Sequence, residues 1–68
     1  MSSHTYKVIE IVGSSTESID AAIRGAIEKA SKTIEHLNWY HVVEIRGHIE
    51  GGKVAHHQVT LKVGFRLE

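Results

Sequence analysis

The sequence predicts an α+β fold with the element order β-α-β-β, in which a three-stranded antiparallel sheet carries one helix on one face. Three patterns indicate it: a β-branched segment at 5–12, apolar residues at helical spacing from Ile19, and period-two alternation over 39–49 and 54–67. With 68 residues we expect one domain over residues 1–68. A chain of this size buries only about 60% of its unfolded surface. Because it has no Cys to form disulfides, we expect oligomerisation to complete its core.

The first strand is expected over Thr5–Val12, and residues 13–16 are expected to end it. The helix prediction rests on an apolar stripe at three- and four-residue spacing: Ile19, Ala22, Ile23, Ala26, Ile27, Ala30, Ile34 and Leu37. Ser14 with Glu17 has the spacing of a capping box, although Ser15 with Ser18 competes for that role. Asn38 is a plausible end of the helix.

Two long strands follow, joined by Gly51 and Gly52. Their apolar faces are predicted to carry Val43, Ile45 and Ile49 on one strand and Val59, Leu61, Val63, Phe65 and Leu67 on the other. A strict two-residue turn would place Ile45 opposite Gln58 and split the apolar face. We therefore expect a three-residue loop or a bulge that uses a glycine at positive φ.

With that register, Arg46 faces Gln58 and His48 faces His56 on the opposite, polar surface of the hairpin. This patch offers a cation, an amide and two imidazoles to an anionic or heteroaromatic small molecule, although it also fits an ordinary solvated sheet face. The two histidines could bind zinc with Glu50 or His57, but His57 should point to the other face. A dedicated metal site is therefore not expected.

Trp39 begins the second long strand, and by parity it shares the face of Val43 and Ile45. Two interpretations stay open for this single tryptophan: an anchor in the core or in a subunit contact, and a platform on which a planar ligand stacks.

Charge and composition argue against several functions. Eight basic and eight acidic residues give no basic excess for nucleic acid or anionic lipid, and no apolar run approaches the roughly 20 residues that cross a bilayer. We find no arrangement of serine, histidine and aspartate typical of a catalytic triad, and residues 1–4 lack the basic segment of a signal peptide. We expect a cytoplasmic protein that is not an enzyme.

Several segments together resemble the dodecins, small flavin-binding proteins of bacteria and archaea. They are VIEIVGSS at 8–15, the helical pair at 22–23, NW at 38–39, IRGHI at 45–49 and QVTLKVGFRLE at 58–68. The resemblance implies a hollow dodecameric sphere in which flavins bind in pairs at two-fold axes. Trp39 matches the tryptophan on which the family stacks the flavin, and Gln58 matches the glutamine that hydrogen-bonds it.

The resemblance further implies FMN as the ligand, with riboflavin or FAD as alternatives. Arg46 and Arg66 match candidates for phosphate binding, His48 is a further candidate, and Asn38 is placed to touch the ligand or orient Trp39. The implied function is flavin storage and sequestration, with photoprotective quenching by the stacked indole. Some relatives also resemble coenzyme A binders. One alternative is therefore a structural shell that binds another small ligand, either coenzyme A or a metal. The other alternative is a flavin-dependent redox enzyme. No protein partner besides further copies of the chain is implied.

Overall fold

The computed structural model describes residues 3–67, and Glu68, the last residue of the dodecin-like segment, lies outside that range. Its elements follow the predicted order: β1 (Tyr6–Ser15), α1 (Ile19–Ala30), β2 (Leu37–Glu50) and β3 (Lys53–Arg66). The strands form one antiparallel sheet in the order β1-β3-β2. The predicted α+β fold is therefore confirmed, with β3 in the centre of the sheet.

The first strand continues through Gly13, Ser14 and Ser15, where the sequence predicted its end. Gly13 permits this because the strand passes close to α1: a Cβ at this position would overlap the carbonyl oxygen of Ala22. The helix is capped by Ser18, whose hydroxyl accepts a 2.9 Å hydrogen bond from the Ala21 amide. Both predicted capping boxes are thus wrong, although the Ser15 hydroxyl does accept a bond from the Glu17 amide.

The helix ends at Ala30, earlier than its apolar stripe predicted. The amide of Ser31 donates to the Ile27 carbonyl and the amide of Lys32 donates to the Lys29 carbonyl, and the chain then turns away. His36 adopts a φ of 67°, and the backbone enters β2 at the next residue. Leu37 and Asn38 are therefore strand residues, and the helical extension to Leu37 and the stop at Asn38 were wrong.

The hairpin turn consists of Gly51 and Gly52, both at positive φ (58° and 78°). A two-residue turn of this kind matches the twist of the strands it joins. The register then shifts between His48 and Ile49, so the predicted bulge is confirmed and the three-residue loop is wrong. Two further shifts interrupt β2, between Val42 and Glu44 and between Leu37 and Trp39.

The core lies between α1 and the β1–β3 half of the sheet. Its fully buried apolar residues within the described range are Ala22, Val59, Leu61 and Val63. Val42 packs against them opposite Leu61, in the inward position that the sequence pattern gave to Val43. On the exposed side of α1, Arg24 Nε donates a hydrogen bond to the Asp20 carboxylate, which raises the pKa of that guanidinium above its ordinary value. Within residues 3–67, no helix is long and apolar enough to cross a membrane.

Candidate functional site

The candidate site lies on the sheet surface that faces away from α1, which we call the outer face. Val59, Leu61 and Val63 of β3 point toward the helix, so the alternate residues of that strand point outward. These outward positions of β3 are His56, Gln58, Thr60, Lys62, Gly64 and Arg66. Their partners on β2 include Trp39, His41, Glu44, Arg46 and His48.

Trp39 is on the outer face, and its placement with Val43 and Ile45 on the apolar face was wrong. It pairs with Gly64, and a Cβ on Gly64 would overlap three atoms of the indole, so the ring covers that glycine. The physical reason is the bulge at Val43, which inserts one residue into β2. The residues of β2 before the bulge therefore point to the face opposite to the one that strict alternation predicts. Trp39 remains 41% exposed, so an indole surface is available for contact.

A second group, which we call the Gln58 cluster, occupies the end of the outer face nearer the hairpin turn. Arg46 faces Gln58 and His48 faces His56, as the sequence predicted. These four residues, with Gly47 and Ser14, line a shallow pocket of about 390 Å³. The Arg46 guanidinium lies 3.5 Å from the Glu44 carboxylate, and His48 Nε2 lies 3.5 Å from a carboxylate oxygen of Glu50. The pocket is open and rich in hydrogen-bond donors, and the two nearby carboxylates neutralise only part of its positive charge.

The structure does not bring Trp39 and Gln58 together within one chain. Trp39 pairs with Gly64, and Gly64 lies six positions after Gln58 on β3, which corresponds to about 20 Å of strand. Arg66 lies at the Trp39 end, two residues beyond Gly64. Its Nε atom is buried and lacks a hydrogen-bond partner within the described chain. Five of the six predicted site residues thus lie on the outer face. Trp39 and Arg66 are at one end of it, and the other end carries Gln58, Arg46 and His48.

Asn38 lies beside Trp39, at the register shift before it. The two residues line one small pocket, which also contacts Ile27 and Val63 on the helix side of the sheet. Trp39 connects Asn38 to the outer face.

Sequence reasoning missed two residues of this surface. Ser14 was interpreted as a cap, yet it pairs with Gln58 across β1 and β3 and lines the same pocket. Gly64 had no assigned role, yet it makes room for the indole. An apolar or polar pattern within one strand carries no signal for either, because both depend on how the strands are paired.

Comparison with known proteins gives a consistent result. The Dodecin family model matches residues 5–68. A curated dodecin from Thermus thermophilus is 52% identical over 63 residues, covering 93% of this chain and 91% of that protein. The solved dodecin from Streptomyces davaonensis has a TM-score of 0.94 at 55% identity and covers 98% of both chains. That from Streptomyces coelicolor has a TM-score of 0.94 at 54% identity, covering 100% of this chain and 97% of the other. The chain therefore belongs to the dodecins, a family of small flavin-binding proteins that assemble as oligomeric shells.

Proposed function

We propose that this protein is a cytoplasmic dodecamer that binds, stores and sequesters FMN and protects it from light through quenching by Trp39. The observation that carries the proposal is the half-exposed indole over Gly64, on the same sheet face as Gln58 and Arg46. An indole is a large planar surface that suits stacking with an isoalloxazine. It is also an electron donor to an excited flavin when the two rings are in contact.

Two chains complete the proposed site. The separation of about 20 Å along β3 exceeds the length of an isoalloxazine, so one ring cannot contact Trp39 and Gln58 of the same chain. β2 is an edge strand, and two copies placed head to tail along it bring the Trp39 end of one chain to the Gln58 cluster of the other. The amide of Gln58 would then pair with the alternating carbonyl and N–H edge of a flavin that stacks on the other chain's Trp39.

The arginines supply cations for the phosphate. Arg66, near Trp39, has a buried Nε that needs an acceptor, and a phosphate oxygen is a strong one. Arg46 and His48 belong to the Gln58 cluster and would lie beside a flavin bound there from the second chain. Asn38, just before Trp39, would orient the segment that carries the indole.

The test is a fluorescence titration of FMN, riboflavin and FAD with untagged, flavin-free protein, with particle mass read by light scattering on the same samples. We expect strong quenching at one flavin per chain, and a preference for FMN over riboflavin if the arginines bind phosphate. Loss of stacking should weaken FMN binding in Trp39→Ala by about 5- to 150-fold, which corresponds to ~1–3 kcal/mol per stacked ring.

Trp39→Phe is the matched control, because it keeps an aromatic ring and should retain part of the affinity. Coenzyme A added as a competitor tests whether it shares the site. An intact shell that leaves FMN fluorescence unchanged would contradict the storage proposal, and so would Trp39→Ala with the affinity of the parent.

A further inference from the structure

We propose that His48 and His56 form an exchangeable binding site for a divalent transition metal of the Zn²⁺, Ni²⁺ and Cu²⁺ class. Both histidines belong to the Gln58 cluster, so the ion would share this pocket with the flavin proposed above. This metal site departs from the sequence-based expectation, which gave little weight to a metal because His57, one of the two candidates for a third ligand, should point to the other face. The structure supports a metal site through the distance and angle between the two imidazole rings.

The two imidazoles are close enough to share one ion. They extend from facing positions on β2 and β3, with ring centroids 6.0 Å apart and an interplanar angle of 44°. An imidazole nitrogen lies about 2.0–2.1 Å from such a metal, which places the ring centre roughly 3.2 Å from it. Two rings on one ion therefore have centres about 4.5–6.4 Å apart for angles between 90° and 180° at the metal. The observed spacing lies within this range, so it is compatible with one ion shared by the two rings.

The charges around the pair also favour a cation. Glu50 places a carboxylate oxygen 3.5 Å from His48 Nε2, so a negative charge lies beside the pair. Arg46 lines the same pocket, but its guanidinium is 3.5 Å from the Glu44 carboxylate and is partly neutralised by it. The pair lines the 390 Å³ pocket, which is open on the single chain.

The number of ligands determines the kind of site. Within residues 3–67, no three His, Asp or Glu side chains converge as a complete metal shell. Water would fill the remaining positions, as in sites that exchange their metal, whereas structural zinc sites have four protein ligands. Imidazole donors select Zn²⁺, Ni²⁺ and Cu²⁺ over Ca²⁺ and Mg²⁺, which prefer oxygen.

The experiment titrates chelator-treated, untagged protein with Cu²⁺ and Ni²⁺ by calorimetry in a buffer that does not bind metals. We expect one ion per chain, and a loss of affinity of about tenfold or more in both His48→Gln and His56→Gln, because each removes one of two ligands. His41→Gln is the matched control: it lies on the same strand but faces Lys62, and it should bind as the parent does. Light scattering on each variant confirms that assembly is preserved.

The Cu²⁺ complex of the parent protein gives a second measurement that needs no variant. Its electron paramagnetic resonance spectrum should show coupling to two imidazole nitrogens. A spectrum with coupling to only one nitrogen would overturn the proposal. Affinity that is unchanged in His48→Gln, or that falls equally in His41→Gln, would overturn it as well, because the binding would then be spread over surface histidines.

Discussion

At the scale of single residues, Gly64 determines where the indole of Trp39 can lie. The glycine is buried in the central strand, and the ring occupies the space that a side chain would fill. A β-strand interior normally disfavours glycine, unless another group approaches the backbone closely. Here that group is the indole, so the two residues act as one structural unit.

Gly64→Ala should therefore displace the indole and weaken FMN binding toward the level of Trp39→Ala. The added methyl group overlaps three indole atoms and leaves the ring no space in its present position. The measurement is the FMN titration, together with the wavelength of tryptophan emission in the flavin-free protein. Gly25→Ala is the control, because a Cβ there meets no atom of the chain and alanine favours the helix by up to about 1 kcal/mol. Parent-like FMN affinity in Gly64→Ala would show that the observed indole position is not the one that binds.

At the scale of the elements, the sequence predicted what depends on periodicity. The order of strands and helix follows from alternation and helical spacing, and the pairing of Arg46 with Gln58 follows from keeping Ile45 opposite Val59. The face of Trp39 could not be predicted, because a bulge inserts one residue without a distinctive residue type. The helix end was missed for a related reason. Leu37 extends the helical stripe, yet it contributes to the core from a strand.

The close contact between β1 and α1 leads to a prediction of stability. A Cβ at Gly13 would overlap the Ala22 carbonyl oxygen and crowd the Ala26 Cβ at 2.9 Å, and neither backbone nor methyl group can rotate away. Gly13→Ala should therefore lower the free energy of unfolding by about 1–3 kcal/mol, as overpacking does in other cores. Denaturant unfolding at fixed protein concentration measures it, since stability in an oligomer depends on concentration. An unchanged midpoint would mean that α1 can move off the sheet without cost.

At the scale of the whole molecule, the chain is more extended than a compact protein of its length. It measures 57 × 20 × 14 Å and has a radius of gyration of 14.3 Å, where a compact chain of this length would have about 11 Å. It exposes 5047 Å², against about 4,300 Å² for a folded monomer of this mass. The short chain without cysteine and the length of its hairpin predicted from the sequence that the protein is not a monomer. The extended shape agrees with that prediction, because one helix covers only part of the hairpin.

The uncovered apolar surface is on the helix side of β2, because α1 packs on β1 and β3. Ile45 shows this most directly: it pairs with the fully buried Val59, yet it is 54% exposed. Burial of an isoleucine contributes about 1.5–3 kcal/mol, and each copy in a symmetric shell would contribute it again. We therefore expect neighbouring copies to cover Ile45.

Ile45→Glu should break the shell into smaller species, because the contact would have to bury a charge without a partner. Light scattering and sedimentation measure the mass, and circular dichroism checks that the chain still folds. Ile45→Val is the control that should assemble as the parent does.

Ile45→Glu also tests the proposed two-chain flavin site. If Trp39 and Gln58 bind a flavin only across a subunit contact, the dissociated chain should lose FMN quenching although both residues are intact. A full-sized Ile45→Glu particle would place this residue outside the contacts. A folded monomer that quenched FMN as strongly as the parent would contradict the two-chain site.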